Sequence, residues 1–403
     1  TITHGVYSLS WQEEQIAVRV NRLRSSHDTV TAQVLITSSA PGFVDPHLHQ
    51  ASLNLTSTAA RKTLIKQLQE DYGDLAPWSA LVAQLCALVL TAYRAGEPLL
   101  NLGELPPLER ILYRLEPFLL EKEPNLLYGQ GGTGKSLIGS GLFPTILDGL
   151  IDQLGMRSEP GRVLILDWES GPYELADRLK AIRFGFGIDQ AVNTLYRFCW
   201  QPLMADIEEI QTIVAEKEIS VVVIDSVGPA CGGEPESAQV VLDYFRALRS
   251  LKVTTLSIDH VAKGQTDPFG SVYKTNSSRN IWELRSAREP GEDALHIGLL
   301  HKKINRGKLL RPRGFLVSFG EDGKKIRFAQ EDVRDVPELA PAASLSSRIL
   351  YALKSGKKTD LEIANELAKD VHEVQKALSR HRHQGRVIEL EHGEWGLVSP
   401  AEN

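Results

Sequence analysis

Gly129-Gln130-Gly131-Gly132-Thr133-Gly134-Lys135-Ser136 follows the pattern G-x-x-x-x-G-K-S, that of a P-loop. Leu126, Leu127 and Tyr128 precede it as the end of a buried strand would, and Leu137 to Leu142 follow as the start of a helix would. The glycines let the backbone curl so that N–H groups point inward at a helix N-terminus, where phosphate is favoured. The nucleotide-binding set is then Gly129, Gly131, Gly132, Thr133, Gly134, Lys135, Ser136 and Leu137. Lys135 would reach the β- and γ-phosphates of ATP, and Ser136 would offer its hydroxyl to Mg²⁺.

Working outward, Val221-Val222-Val223-Ile224-Asp225 is an apolar strand ending in an acid, the Walker B pattern. Asp225 joins Ser136 as a candidate for the Mg²⁺ shell. The next residue is Ser226, so no glutamate follows to orient an attacking water. That carboxylate must come from elsewhere. Leu164-Ile165-Leu166-Asp167-Trp168-Glu169 is another strand running into acids, which makes Glu169 the first candidate base and Asp167 the second. Thr254 to Asp259 is a third strand, ending at His260, and Leu295 to His301 a further one, followed by the basic run Lys302-Lys303-Ile304-Asn305-Arg306-Gly307-Lys308. Strands alternating with helical stretches predict a parallel sheet covered on both faces. Gly314 to Phe328 reads as a closing hairpin turning at Gly320-Glu321-Asp322-Gly323.

The set GQGGTGKS, LILDWES, VVVIDS, LSIDH and HKKINRGK, in this order, resembles the RecA-fold hexameric replicative helicases of plasmids and phages, and the RepA-like group among them. The resemblance covers roughly residues 110 to 330. It implies a RecA-like P-loop core. Lys135 takes the phosphate grip, Ser136 and Asp225 the metal, Glu169 the base, and His260 a γ-phosphate sensor. It also implies a basic finger entering a neighbouring subunit's site, with Lys302, Lys303 and Arg306 as candidates and Arg279 and Arg285 behind them. Channel-lining loops would fall in Val261 to Ser278, where Lys263 and Lys274 sit.

The flanks differ from that family. Residues 1–107 read as a small α+β module: a hairpin of Gln15–Asn21 and Thr29–Thr37, then helices over Thr56–Tyr72 and Trp78–Tyr93. Arg19, Arg22 and Arg24 lie on one strand, either as a nucleic-acid-facing side or as a solvated face. His47 and His49 form an H-x-H in a loop, without an obvious further metal ligand. Residues 108–331 form the ATPase domain, with Leu108–Leu120 leading in, and Asp332–Ala343 reads as a linker. Residues 344–403 predict three helices and a hairpin, the winged-helix layout, whose third helix carries Lys376, Arg380, His381, Arg382 and His383.

The 403 residues carry a net charge of −6, so nucleic-acid binding would need local basic patches. Three scattered cysteines argue against a disulfide framework and fit a reducing cytosol. The Trp78–Tyr93 helix is interrupted by Gln84 and short for a bilayer, so the expectation is a cytoplasmic protein with no membrane partner. The function expected is an ATP- and Mg²⁺-dependent homo-oligomeric motor, a hexameric ring on single-stranded DNA with duplex DNA contacted through the winged helix. The alternatives are a non-unwinding ATPase acting as a recombination, transposition or defence adaptor, and a nucleotide-switched DNA-binding regulator.

Overall fold

The computed structural model describes residues 1–403 except 4, 42–44, 97–98, 108–109, 150–153, 235, 262–270, 289–290, 321–322 and 399–403. The N-terminal unit is a five-stranded antiparallel sheet in sequential order: β1 (Ile2–Thr3), β2 (Val6–Trp11), β3 (Ile16–Ser26), β4 (Thr29–Ser38) and β5 (His47–Asn54). Period-2 alternation puts Ile16, Val18 and Val20 of β3 and Val34 and Ile36 of β4 on one buried face. Helices α1 (Thr58–Tyr72, capped by Ser57) and α2 (Trp78–Ala95) cover that face with Leu64, Leu68, Trp78 and Leu85. Helix α2 runs two residues further than expected. At 18 residues and a mean hydropathy of 1.3 it is long and apolar enough to cross a membrane, which corrects the reading that it is too short. Here its buried residues pack on the sheet instead. His47 and His49 fall on β5, not in a loop; His47 pairs with Asp45 at 3.1 Å, and the described residues hold no cluster of three metal-ligating side chains.

The segment before the P-loop is extended rather than helical, as β6 (Tyr113–Glu116) and β7 (Leu119–Leu120). Strand β8 (Pro124–Gly129) carries the chain into the P-loop, after which Leu137–Leu142 is π-helical and continues as α3 (Phe143–Leu147). Then follow β9 (Arg157–Ser158), β10 (Arg162–Asp167), α4 (Pro172–Gly185), β11 (Leu195–Phe198), α5 (Leu203–Glu216) and β12 (Ile219–Asp225). The core closes with α6 (Val227–Cys231), α7 (Ala238–Ser250), β13 (Thr254–His260), α8 (Tyr273–Ser277), β14 (Asn280–Ala287), β15 (Ala294–Ile304), β16 (Arg313–Phe319) and β17 (Ile326–Glu331). They build one nine-stranded sheet in the order β11-β10-β12-β13-β8-β14-β15-β16-β17. The pairs from β11 to β14 are parallel and those from β14 to β17 antiparallel. One apolar cluster lies on each face of the sheet, so the parallel strands are near-continuous runs of Val, Leu and Ile. This α/β architecture, with the P-loop strand separated from the Walker B strand by one strand, is a RecA-like P-loop core.

Two expectations about the flanks are corrected. Arg19, Arg22 and Arg24 face neither solvent alone nor a free surface. Arg19 pairs with Glu216, Arg22 with Glu209 at 2.9 Å and Arg24 with Glu208 at 3.7 Å, all on α5. Such half-exposed pairs contribute about 0–1 kcal/mol each, so they orient the N-terminal sheet on the ATPase core more than they hold it there. Asp332–Ala343 is not a free linker, because Val333, Val336 and Leu339 bury themselves against β14 and β15 at Ala287 and Gly298.

The C-terminal unit has α9 (Leu345–Ala352), β18 (Lys358–Thr359), α10 (Asp360–Leu367), α11 (Val371–His383), β19 (Val387–Glu389) and β20 (Glu394–Leu397). Its strands order as β18-β20-β19, all antiparallel, over a core of Ile349, Ile363, Val374, Leu378 and Trp395. A capping box at Thr359 and Glu362 opens α10. Of the turn Gly320–Gly323, Glu321 and Asp322 lie outside the described residues, as does Lys263.

A buried ion pair pins α4 beneath the P-loop helix. Arg183 Nη1 lies 2.6 Å from Asp148 Oδ2, both side chains nearly fully buried, and Arg183 Nε also donates to the Gln190 carbonyl at 3.1 Å. Burial pushes the Asp148 carboxyl up, against the pull of Arg183. Replacing Arg183 by Met strands that carboxylate, at a cost of about 3–5 kcal/mol in urea unfolding near neutral pH. Protonation of Asp148 relieves the penalty, so the deficit relative to wild type shrinks as the pH is lowered.

Candidate nucleotide site

Four adjacent strands end in one row, and each end carries chemistry. The order is β8 with Gly129, β13 with His260, β12 with Asp225 and β10 with Asp167, in parallel register: Gly129 opposite His260, Ile258 opposite Asp225, and Asp225 opposite Asp167. In open α/β sheets ligands bind in the crevice outside such carboxyl ends.

The P-loop has the backbone its sequence predicts. Gly132 and Gly134 have φ of +74° and +94°, a region that only glycine enters readily. A Cβ on Gly129 would lie 2.3 Å from the Leu284 carbonyl oxygen, so only glycine lets β8 sit this close to β14. Thr133 Oγ1 donates to the Gln130 carbonyl at 2.8 Å and closes the loop. Lys135 is 5% exposed, and its Nζ donates to the carbonyls of Gly129 (2.9 Å) and Gln130 (2.6 Å). Burial lowers the pKa of this ammonium, while Asp225, Asp259 and Glu169 act to raise it.

Asp225 is the part-buried acid at the end of β12. Burial raises its pKa, hydrogen bonds from Ser140 and Ser136 oppose that, and Asp167 and Glu169 push it up again. Ser140 Oγ donates to Asp225 Oδ2 at 2.8 Å. Three carboxylates crowded beside two serine hydroxyls form an oxygen-rich set suited to a hard divalent cation, which would relieve their repulsion. The residues therefore fit Mg²⁺ held through Ser136 and Asp225, with the triphosphate on the P-loop amides and Lys135.

Glu169 is aimed by its neighbours. Asp167 is 3% exposed and its Oδ1 accepts the backbone N–H groups of Glu169 (2.8 Å) and Ser170 (3.0 Å). That commits Asp167 to holding the turn and leaves Glu169, half exposed, projecting from it. Ser226 is buried and its Oγ donates to Glu169 Oε1. His260 Nε2 lies 4.0 Å from the same oxygen, with its ring also half exposed. Base and sensor candidates thus meet across the Walker B strand end.

Sequence reasoning missed Ser140, Ser226 and the buried pair Asp259–Lys274. Ser140 was findable, since it stands one helical turn after Ser136. Ser226 could be read only as the residue after the Walker B acid; its contact with Glu169 is a tertiary fact. Lys274 is corrected from a channel-loop cation to a buried one, 2.8 Å from Asp259 Oδ2 and 1% exposed.

The basic candidates scatter. Lys302 and Lys303 lie within β15, not in a turn after it. Lys303 Nζ donates to the carbonyls of Thr275, Asn276 and Ser278 at 2.6, 3.1 and 2.8 Å, which caps α8 and removes it from the finger candidates. Lys302 pairs with Glu283 at 3.3 Å, and Arg285 pairs with the same carboxylate at 2.7 Å, beside the P-loop. Arg279 sits near Glu123 at 3.7 Å. Arg306 is exposed in the β15–β16 connection, past the N-terminal end of β14, because Ile304 pairs with Asn280. Asn280 in turn pairs with Asn125 at the start of β8, so Arg306 is roughly 20 Å, one strand length, from its own P-loop.

Residues 99–266 match the family model described as the AAA domain. Among solved structures, a KaiC-like protein from the hyperthermophilic archaeon Pyrococcus horikoshii aligns at 16% identity over 54% of this chain and 93% of that chain, with a TM-score of 0.39. No curated protein matches. Sheet order, P-loop geometry and the AAA-domain match together define a nucleotide-dependent P-loop ATPase domain at the centre of the chain.

Glu169→Gln should keep ATP binding and lower hydrolysis by roughly 10²–10⁴-fold, read by fluorescent-nucleotide binding beside steady-state phosphate release. Ser226→Ala, which only loosens the glutamate, should cost about tenfold in kcat with KM nearly unchanged. A larger fall in Ser226→Ala than in Glu169→Gln would assign the base to another group.

Proposed function

We propose that the protein is an ATP-driven, Mg²⁺-dependent ring motor on single-stranded DNA, a helicase in the replication of a mobile element, phage or plasmid. The observation that carries this is the pairing of opposite ends. The strand-end row gathers the candidates for phosphate grip, metal acid, base and sensor, while Arg306 stands exposed a strand length away, out of reach of its own P-loop and open to a neighbouring subunit's nucleotide. A site completed by a neighbour is what a homo-oligomeric, hexameric ring needs.

Within the chain, Lys135 and the P-loop amides bind and orient the triphosphate, and Ser136 and Asp225 hold its metal. Bound Mg²⁺ supplies Lewis-acid polarisation of the phosphoryl oxygens. Glu169 orients the attacking water, and Ser226 and Asp167 fix where Glu169 points. His260 reads whether the γ-phosphate is present. Its change of contact with Glu169 is passed directly along the chain to residues 261–278, the segment we assign to DNA.

The C-terminal unit is read as a winged helix, supported by three helices followed by a strand pair that closes on β18. On α11, Lys376, Arg380 and His383 are exposed, while Arg382 pairs with Glu389 and His381 is buried against Ser346. The same exposed face favours a second reading, a nucleotide-switched DNA-binding regulator.

A forked-duplex displacement assay separates these readings. The motor reading expects strand release that needs ATP and Mg²⁺ and is abolished in Lys135→Ala. Operator-like duplex binding that changes with nucleotide, with no strand ever displaced, would sink it in favour of the regulator.

A further inference from the structure

Apart from Arg306, the cations between β15 and the C-terminal unit have no role in the site above. Residues 302–313 contain six Lys and Arg and no Asp or Glu, in a chain whose net charge is −6. A cleft of about 530 Å³ opens where this segment meets the C-terminal unit. Its lining holds Lys302, Arg311, Arg334 and Arg386 and not one carboxylate. Arg334 is committed to Asp332 and Ser347, and Lys302 to Glu283. Arg311 and Arg386 have no carboxylate partner among the described residues, and both are exposed. On one flank lies a second groove of about 560 Å³, where Arg306, Lys308, Arg110, Arg114 and Arg157 outnumber Glu116, Glu121 and Glu159. On the other, Arg386 follows directly on the basic end of α11.

Unpaired cations held together repel one another and gain most from a polyanion whose phosphates are spaced to meet them in turn. A single small anion would satisfy one groove and leave the other charged. The run from Lys308 through Arg311 to Arg386 is a track, and a track fits a phosphodiester backbone. Leu309 and Leu310, 57% and 36% exposed, stand beside the cations. Exposed apolar side chains next to a phosphate track suit the unstacked bases of a single strand, which a duplex keeps inside.

We propose that the cleft between the β15–β16 connection and the C-terminal unit binds the backbone of single-stranded nucleic acid, with Arg311 and Arg386 as its principal phosphate contacts. This rests on the reading of the protein as a DNA motor and adds to it a contact outside the segment 261–278 and off the exposed face of α11. Because the cleft has one wall in each unit, a bound strand joins the C-terminal unit to the ATPase sheet.

The test uses the full chain with a non-hydrolysable ATP analogue and a fluorescein-labelled thirty-nucleotide oligo-dT, followed by fluorescence anisotropy over a range of salt. Arg311→Glu/Arg386→Glu should weaken binding by roughly tenfold or more, and the wild-type salt slope should fall by about 1.4 for two lost single-strand phosphate contacts. Fluorescent-ATP affinity and thermal midpoint should stay as in wild type. Lys376→Glu/Arg380→Glu, on the exposed face of α11, serves as the comparison. In the wild type, photo-crosslinking of a 4-thiothymidine oligonucleotide should mark peptides spanning 308–312 and 386, a readout that needs no variant. Wild-type binding that survives in Arg311→Glu/Arg386→Glu, with crosslinks confined to 261–278 or to α11, overturns the cleft and leaves the motor reading standing. Absence of oligonucleotide binding in every nucleotide state overturns both.

Discussion

A lysine ammonium buried at the mouth of a parallel sheet is the constraint on which the rest of the site depends. Lys135 has lost most of its water, and its charge is sustained by two P-loop carbonyls and by the field of Asp225, Asp259 and Glu169. Burial raises the pKa of Asp225, with Asp167 and Glu169 pushing it further up, and burial raises that of Asp259 against the pull of Lys274, so the group is favoured with cations among it. Lys135 on one side and Lys274 on the other supply two. The strand order brings this about: with β13 between β8 and β12, Lys135, His260, Asp225 and Glu169, the candidates for grip, sensor, metal acid and base, end side by side.

The sheet also separates functions by its two ends. Parallel strands put the nucleotide chemistry at their carboxyl ends, and the antiparallel β15 returns the chain to the opposite end, where the basic connection lies. Charge is thereby sorted within a chain that is acidic overall. The N-terminal sheet docks on α5 through three arginine–glutamate pairs, and α5 leads directly into β12 and Asp225. The flanking modules therefore sit on elements that enter or leave the site.

Much of the fold was legible because local pattern and tertiary role agreed. The P-loop, the acid-ended strands β10 and β12, the hairpin of β3 and β4 and the capping box at Thr359 each follow from spacing that only one structure satisfies. What stayed hidden was the partner of each polar side chain. The arginines of β3 read equally well as a nucleic-acid face until α5 supplied Glu208, Glu209 and Glu216. Lys274 and Lys303 looked like exposed loop cations, and each is consumed by a neighbour distant in sequence, Asp259 and the α8 carbonyls. Ser226 is unremarkable in sequence and touches Glu169 because two strands run in register. The segment 332–343 is rich in Pro and Ala, so composition suggested a linker, while three spaced apolar residues tie it to β14 and β15.

The central claim is that Glu169, aimed by Asp167 and Ser226, orients the water that attacks a triphosphate held by Lys135, Ser136 and Asp225. A structure of the protein with Mg²⁺, ADP and aluminium fluoride tests it most directly. The account predicts a water in line with the fluoride, about 3 Å from a Glu169 carboxylate oxygen, with the metal bound by Ser136. A water held instead by another acid, with Glu169 turned out to solvent, would contradict it.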